Sequence, residues 1–112
     1  DSHNIVAVGV DDASLVKAIQ CVQKQGGGLC VVNGDSECLL PLPVAGLMSL
    51  HSAHETAAGY TQLVNETRTM GCSLKSPFMT LGFMSLLVIP HLKLSDKGLF
   101  DGDSFQFVSL QE

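Results

Sequence analysis

Gly26-Gly27-Gly28-Leu29-Cys30-Val31-Val32-Asn33-Gly34, running on through Asp35-Ser36-Glu37 to Cys38-Leu39-Leu40-Pro41-Leu42, is the stretch on which the fold turns. Asn33-Gly34 is a strong hairpin signal, because both turn positions of the favoured two-residue turn need positive φ. It makes Leu29–Val32 one strand and Cys38–Leu42 its antiparallel return, with Pro41 placing the return near an edge. The three glycines before the hairpin end a helix, since glycine takes the left-handed cap without steric cost. Upstream of them, Leu15, Val16, Ile19 and Val22 recur at helical spacing behind Asp11 and Asp12. Either acid suits an N-cap, and both suit the positive end of the helix dipole.

Before that helix, residues 4–10 (Asn-Ile-Val-Ala-Val-Gly-Val) read as a strand covered on both faces, because the run is β-branched and nearly all apolar. Strand, helix and strand in this order predict a right-handed parallel crossover. The hairpin then adds an antiparallel neighbour. The expected fold is therefore α/β: a single layered domain with a mixed β-sheet and packed helices, with α+β as the alternative. The length of 112 residues fits one domain, 1–112.

Downstream, residues 42–48 form an apolar loop, suited equally to covering its own core or to packing on another domain or subunit. Ser52-x-x-Glu55 is a capping-box pattern that opens a helix through Thr56, Tyr60, Leu63, Val64 and Thr67, ending near Gly71. Ser76-Pro77 starts another helix over Phe78 to about Leu87, with a strand as the alternative because the run is short. Ser95-Asp96-Lys97-Gly98 is a turn, and Phe105–Leu110 a closing strand.

Net charge is −5, and the six cations (Lys17, Lys24, Arg68, Lys75, Lys93 and Lys97) are scattered. Phosphate backbones demand clustered positive charge, so nucleic acid is not an expected partner. The longest apolar run, Phe78–Ile89, is too short for a bilayer, which needs about 20 residues, so no membrane is expected either. Cys21, Cys30, Cys38 and Cys72 contain no C-x-x-C pair, and they read as small core residues kept reduced in the cytoplasm. No signal peptide is legible, and the missing initiating Met fits a piece of a longer protein.

The glycine triplet is not a phosphate loop. Such loops run strand, glycines, helix, whereas these glycines follow a helix. Gly9-Val10-Asp11-Asp12 has the right order, but its two acids would repel phosphate. His51 and His54, three apart, can share a helical face; no third ligand accompanies them, and solvated side chains are the plainer reading. A metal sensor built on the pair is a minor alternative. His91 follows Pro90 in a turn without a motif. Asp1-Ser2-His3-Asn4 stands directly before the apolar run at 4–10. Such a group can position a ligand or orient a catalytic side chain; taken alone it also reads as a frayed terminus.

Five segments in register carry a resemblance. They are Asp-Ser-His-Asn at 1–4 running into Ile5–Gly9, Pro-Leu-Pro-Val-Ala-Gly-Leu-Met-Ser at 41–49, Ser-Pro-Phe-Met-Thr-Leu-Gly-Phe at 76–83, Val-Ile-Pro-His-Leu-Lys-Leu-Ser-Asp-Lys-Gly-Leu-Phe-Asp at 88–101, and Phe-Gln-Phe-Val-Ser-Leu at 105–110. In this order they resemble the C-terminal domain of adenine deaminases of the amidohydrolase superfamily, over nearly the whole chain. The resemblance implies a parent hydrolase that turns adenine into hypoxanthine and ammonia in purine salvage. It implies a barrel domain with a metal pair, manganese or iron, that lowers the pKa of a water; attack at purine C6 and loss of ammonia follow. A metal site of that superfamily typically begins with a His-x-His pair, and none occurs here. The metal ligands are therefore expected in an N-terminal portion, with no catalytic, cofactor or metal residue in this segment and no activity from it alone. Expected partners are that barrel, adenine as the parent's substrate, and further copies in a homo-oligomer. In an intact enzyme Asp1, Ser2, His3 and Asn4 would lie at the junction with the barrel, facing its active site. A stand-alone binding or assembly module is the alternative function.

Overall fold

The computed structural model describes residues 4–110. The described residues divide into two compact units, one of residues 7–78 and one that joins 4–6 to 79–110.

The larger unit is built on the predicted hairpin. Strand β1 (Gly28–Asn33) pairs antiparallel with β2 (Ser36–Pro41), in the register Leu29 opposite Leu40, Cys30 opposite Leu39, and Val31 opposite Cys38. The turn is one residue later than expected: Asn33 pairs with Ser36, and of the two turn residues Gly34 and Asp35 only Gly34 has positive φ, at 58°. Two helices pack on it, α1 (Asp12–Lys24) and α2 (Ala53–Thr69). Alternation along the strands assigns the two faces. Leu29, Val31, Cys38 and Leu40 point toward α2, where Val31, Leu40 and Leu63 form the buried centre and Leu42, Tyr60 and Phe78 close it. Cys30 and Glu37 point to the other face, where Cys21 and Lys17 of α1 meet them. A two-stranded ribbon covered on both faces explains why β1 is almost continuously apolar.

Each helix begins where its local chemistry dictates. Asp11 caps α1, its side chain accepting from the Ser14 N–H at 2.8 Å. Its carboxyl is held below the usual range chiefly by that backbone bond. Ser52 and Glu55 form the capping box of α2: the Ser52 hydroxyl accepts from the Glu55 N–H, and the Glu55 carboxylate from the Ser52 N–H. The Ser52 hydroxyl also donates to that carboxylate, which lowers its pKa. Along α2, Tyr60, Leu63, Val64 and Thr67 recur at the i, i+3, i+4, i+7 spacing of one face. Leu63 on that face is wholly buried. Gly59 lets the helix approach the ribbon, since a Cβ there would lie 3.0 Å from Leu40 Cδ1.

Helix α3 (Pro77–Met84) follows, so the helical reading of 78–87 holds and the strand alternative does not, although the helix stops three residues short. In the smaller unit β3 (Leu92–Ser95), β4 (Gly98–Asp101) and β5 (Gln106–Val108) form an antiparallel meander. Phe100, buried at its centre, meets Phe105 and Phe107 edge-on with ring centroids at 5.4 and 5.2 Å. The Ser95–Gly98 turn lies where the sequence predicts it. The short strands flanking it are additional, and the closing strand is narrower than 105–110.

The α/β character is as expected, with three helices and two small sheets. The parallel crossover is not: both sheets are purely antiparallel. Residues 4–10 form no strand and are exposed, Val8 at 80% and Val10 at 102%. A β-branched apolar run signals burial, but a strand also needs a neighbour with free ladder groups. Neither β1 nor β2 pairs with this run among the described residues.

Candidate functional site

Among the described residues, those singled out in the sequence do not converge. Asp1, Ser2 and His3 lie outside the described residues, and Asn4 is exposed in a bend. His54 is exposed in the first turn of α2, while His51 precedes it and donates its backbone N–H to Ser49 Oγ at 3.0 Å. Among the described residues no group of three or more His, Cys, Asp or Glu side chains could hold a metal ion. The described residues therefore do not fit a metal centre, and the metal pair implied by the resemblance is not assigned to them.

His91 has a partner that local sequence does not disclose. Its Nδ1 pairs with Asp103 Oδ2 across the β3–β4 hairpin. Its backbone carbonyl accepts from the Gly102 N–H at 2.8 Å. Asp101 holds the same turn, accepting from the Asp103 N–H at 3.0 Å and the Ser104 hydroxyl at 2.6 Å. The Asp103 hydrogen bond and charge raise the His91 pKa, while the Ser104 hydroxyl, then the Asp103 N–H, lower that of Asp101. His91 is 82% exposed, so this cluster ties the start of β3 to the β4–β5 turn in open solvent.

The four cysteines are free thiols and half-buried rather than fully buried. Cys21 Sγ donates to Glu37 Oε2 at 3.7 Å, and Lys17 pairs with Glu37 at 3.4 Å. Burial, then the Cys21 hydrogen bond, pushes the Cys30 thiol up to about 12. A thiol so raised is a poor nucleophile near neutrality, because the thiolate is the reactive form.

An open groove of about 740 Å³ lies over the first turns of α2. Leu29 and Leu40 of the ribbon and Tyr60 of α2 line it, together with Leu42, Leu47 and Met48 from the apolar loop. No Asp, Glu, Lys or Arg borders it; its polar groups are Ser49, His51, Thr56, Thr61 and the Tyr60 hydroxyl. The Thr56 hydroxyl is buried without a hydrogen-bond partner. Thr56 and Tyr60 were legible only as an i, i+4 pair on α2. That the loop meets the helix there is a tertiary fact.

Only one end of the apolar loop covers the domain's own core. Leu42 packs against the core, while Leu47, Met48 and Leu50 are exposed at 46%, 58% and 78%. It is held shut by the Val44 and Met48 backbones, which exchange hydrogen bonds at 3.2 and 3.1 Å. It is anchored to the glycine triplet by the Leu42 N–H, which donates to the Gly27 carbonyl at 3.1 Å.

These features define a small α/β module whose clearest surface is apolar and recessed. Comparison with known sequences places it. The model of the adenine deaminase C-terminal domain family matches residues 1–106, and the chain belongs to that family. It is 54% identical over 110 residues to a protein named adenine deaminase from Methanosarcina barkeri, covering 98% of this chain and 20% of that protein. It is 48% identical over 112 residues to one of the same name from Methanothermobacter thermautotrophicus, covering 100% of this chain and 21% of that protein. With the Borreliella burgdorferi protein of that name it shares 49% over 109 residues, covering 96% and 20%. The chain thus spans about a fifth of the length of the curated relatives it matches. No solved structure matches it. No helix of the described residues is long and apolar enough to cross a membrane.

Proposed function

We propose that the chain is the C-terminal part of a cytoplasmic enzyme of purine salvage that hydrolyses adenine to hypoxanthine and ammonia, and that its own contribution is architectural. The observation that carries this is the near-complete match, at about half identity, to proteins named adenine deaminase that are five times longer. The catalytic barrel of the amidohydrolase type, with its manganese or iron, belongs to the remaining four fifths, and no chemical step is assigned to the residues described here. The segment completes that barrel or the parent's homo-oligomer. Asp1, Ser2, His3 and Asn4 form the junction and face the barrel's active site, where His3 helps place substrate or orient another side chain.

Ammonia release from adenine, with added manganese or ferrous iron, tests this on the full-length protein and on the 112-residue chain side by side. Release by the full-length protein alone is the expected result. Release by the short chain would put a catalytic centre inside it, and none from either would overturn the substrate. In the full-length protein His3→Ala lowers turnover; an unchanged rate would make residues 1–4 a purely structural junction.

A further inference from the structure

We propose that the groove over the first turns of α2 is the seat of an uncharged apolar segment from the remainder of the same polypeptide, the four fifths of the relatives' length that this chain does not span. The inference rests on reading the chain as part of such a longer protein.

Two features of the groove select this kind of occupant. The first is its openness to solvent and its uncharged border. Small ligands bind where most of their surface is enclosed, with a few placed polar groups to orient them. A shallow trough of Leu29, Leu40, Leu42, Leu47, Met48 and Tyr60 instead suits a stretch of chain laid along it. The second is that the exposed lip is held in place. Ala45 and Gly46 both take positive φ, 57° and 75°, a conformation costly for alanine. Gly46 sits so close to the glycine triplet that a Cβ on Gly27 would lie 2.2 Å from its Cα. Backbone strain and close contact thus fix a loop that turns Leu47 and Met48 outward, whereas a free surface loop gains nothing from rigidly displaying two large apolar side chains.

The remainder of the chain is favoured over a second copy because it is tethered. A covalent link holds a partner at an effective concentration in the millimolar range when it can reach, and some four fifths of the polypeptide is available to supply the segment.

The test is photo-crosslinking in the full-length protein, with Met48 replaced by benzoylphenylalanine and equal amounts of light and isotopically heavy protein mixed before irradiation. The expected products join position 48 to peptides outside these 112 residues, with both halves light or both heavy. Light–heavy products, whether to this segment or to any other part of a second copy, overturn the proposal in favour of an intersubunit contact. Absence of any cross-link overturns it in favour of an open groove. As a second reading, Leu47→Asp in the full-length protein should speed amide exchange over residues 42–49 at least tenfold, and unchanged exchange counts against a covered groove. Adenine hydrolysis is measured on the unsubstituted protein in parallel. Cross-linking within the chain without hydrolysis sinks the enzymatic reading and keeps the docking, whereas hydrolysis with an empty groove sinks the docking alone.

Discussion

Replacing Gly27 with alanine isolates the contact that joins the glycine triplet to the apolar loop. Two costs add at this position. The residue has φ +129°, where an L side chain is strained at about 1–3 kcal/mol. The new Cβ would also stand 2.2 Å from Gly46 Cα and 3.0 Å from its carbonyl carbon and oxygen. These are backbone atoms that cannot swing away, and forcing an extra carbon into packed structure costs about 1–3 kcal/mol more. Gly26 is the internal control: its φ is +72°, but a Cβ there meets nothing within 4 Å. Gly26→Ala should therefore cost only the left-handed conformation, about 1–2 kcal/mol, against about 2–6 kcal/mol for Gly27→Ala. With a urea m-value of about 1–3 kcal/mol/M for a chain of this size, the two midpoints should differ visibly in unfolding followed by circular dichroism. Amide exchange at Leu42 adds a local reading, because its N–H donates to the Gly27 carbonyl and should lose protection in Gly27→Ala only. Equal midpoints for the two variants, with Leu42 protected in both, would refute the claim that the triplet clamps the loop.

Two further results follow from the packing and the charges. Leu63, wholly buried against Val31 and Leu40, should cost about 2–5 kcal/mol when cut to alanine, read as a lower urea midpoint at unchanged m-value; a loss below about 1 kcal/mol would mean that the ribbon and α2 are not its true surroundings. His91 holds its proton more tightly in the folded chain, because Asp103 bonds to it. The pair thus adds stability below the ordinary imidazole value of about 6.5, and loses it as the pH rises through the higher folded value. NMR titration should show the His91 midpoint falling in Asp103→Asn, and no change would remove Asp103 as its cause.

What could be read from the chain was read through local chemistry. Gly34 marked the hairpin, since it takes φ 58° as the first turn residue at no steric cost, although the turn falls at Gly34-Asp35 and not at Asn33-Gly34. Asp11 and the Ser52–Glu55 box placed the helix starts, because their side chains satisfy backbone groups three residues away. Pro77 opened α3 for the same kind of reason, its fixed φ suiting a first turn. The five segments in register were enough to place the family. Tertiary structure decided everything that depends on which surfaces meet. Residues 4–10 carry the composition of a covered strand but not the identity of what covers them, so the parallel crossover inferred from them is not formed among the described residues. The meeting of Gly27 with Gly46, the stranding of the Thr56 hydroxyl in the groove and the pairing of His91 with Asp103 join residues 12 to 19 positions apart, or residues of α2 with a loop. No local periodicity encodes such contacts; they arise only when separately specified elements are packed, and that packing is what turned an apolar loop into the rim of a groove.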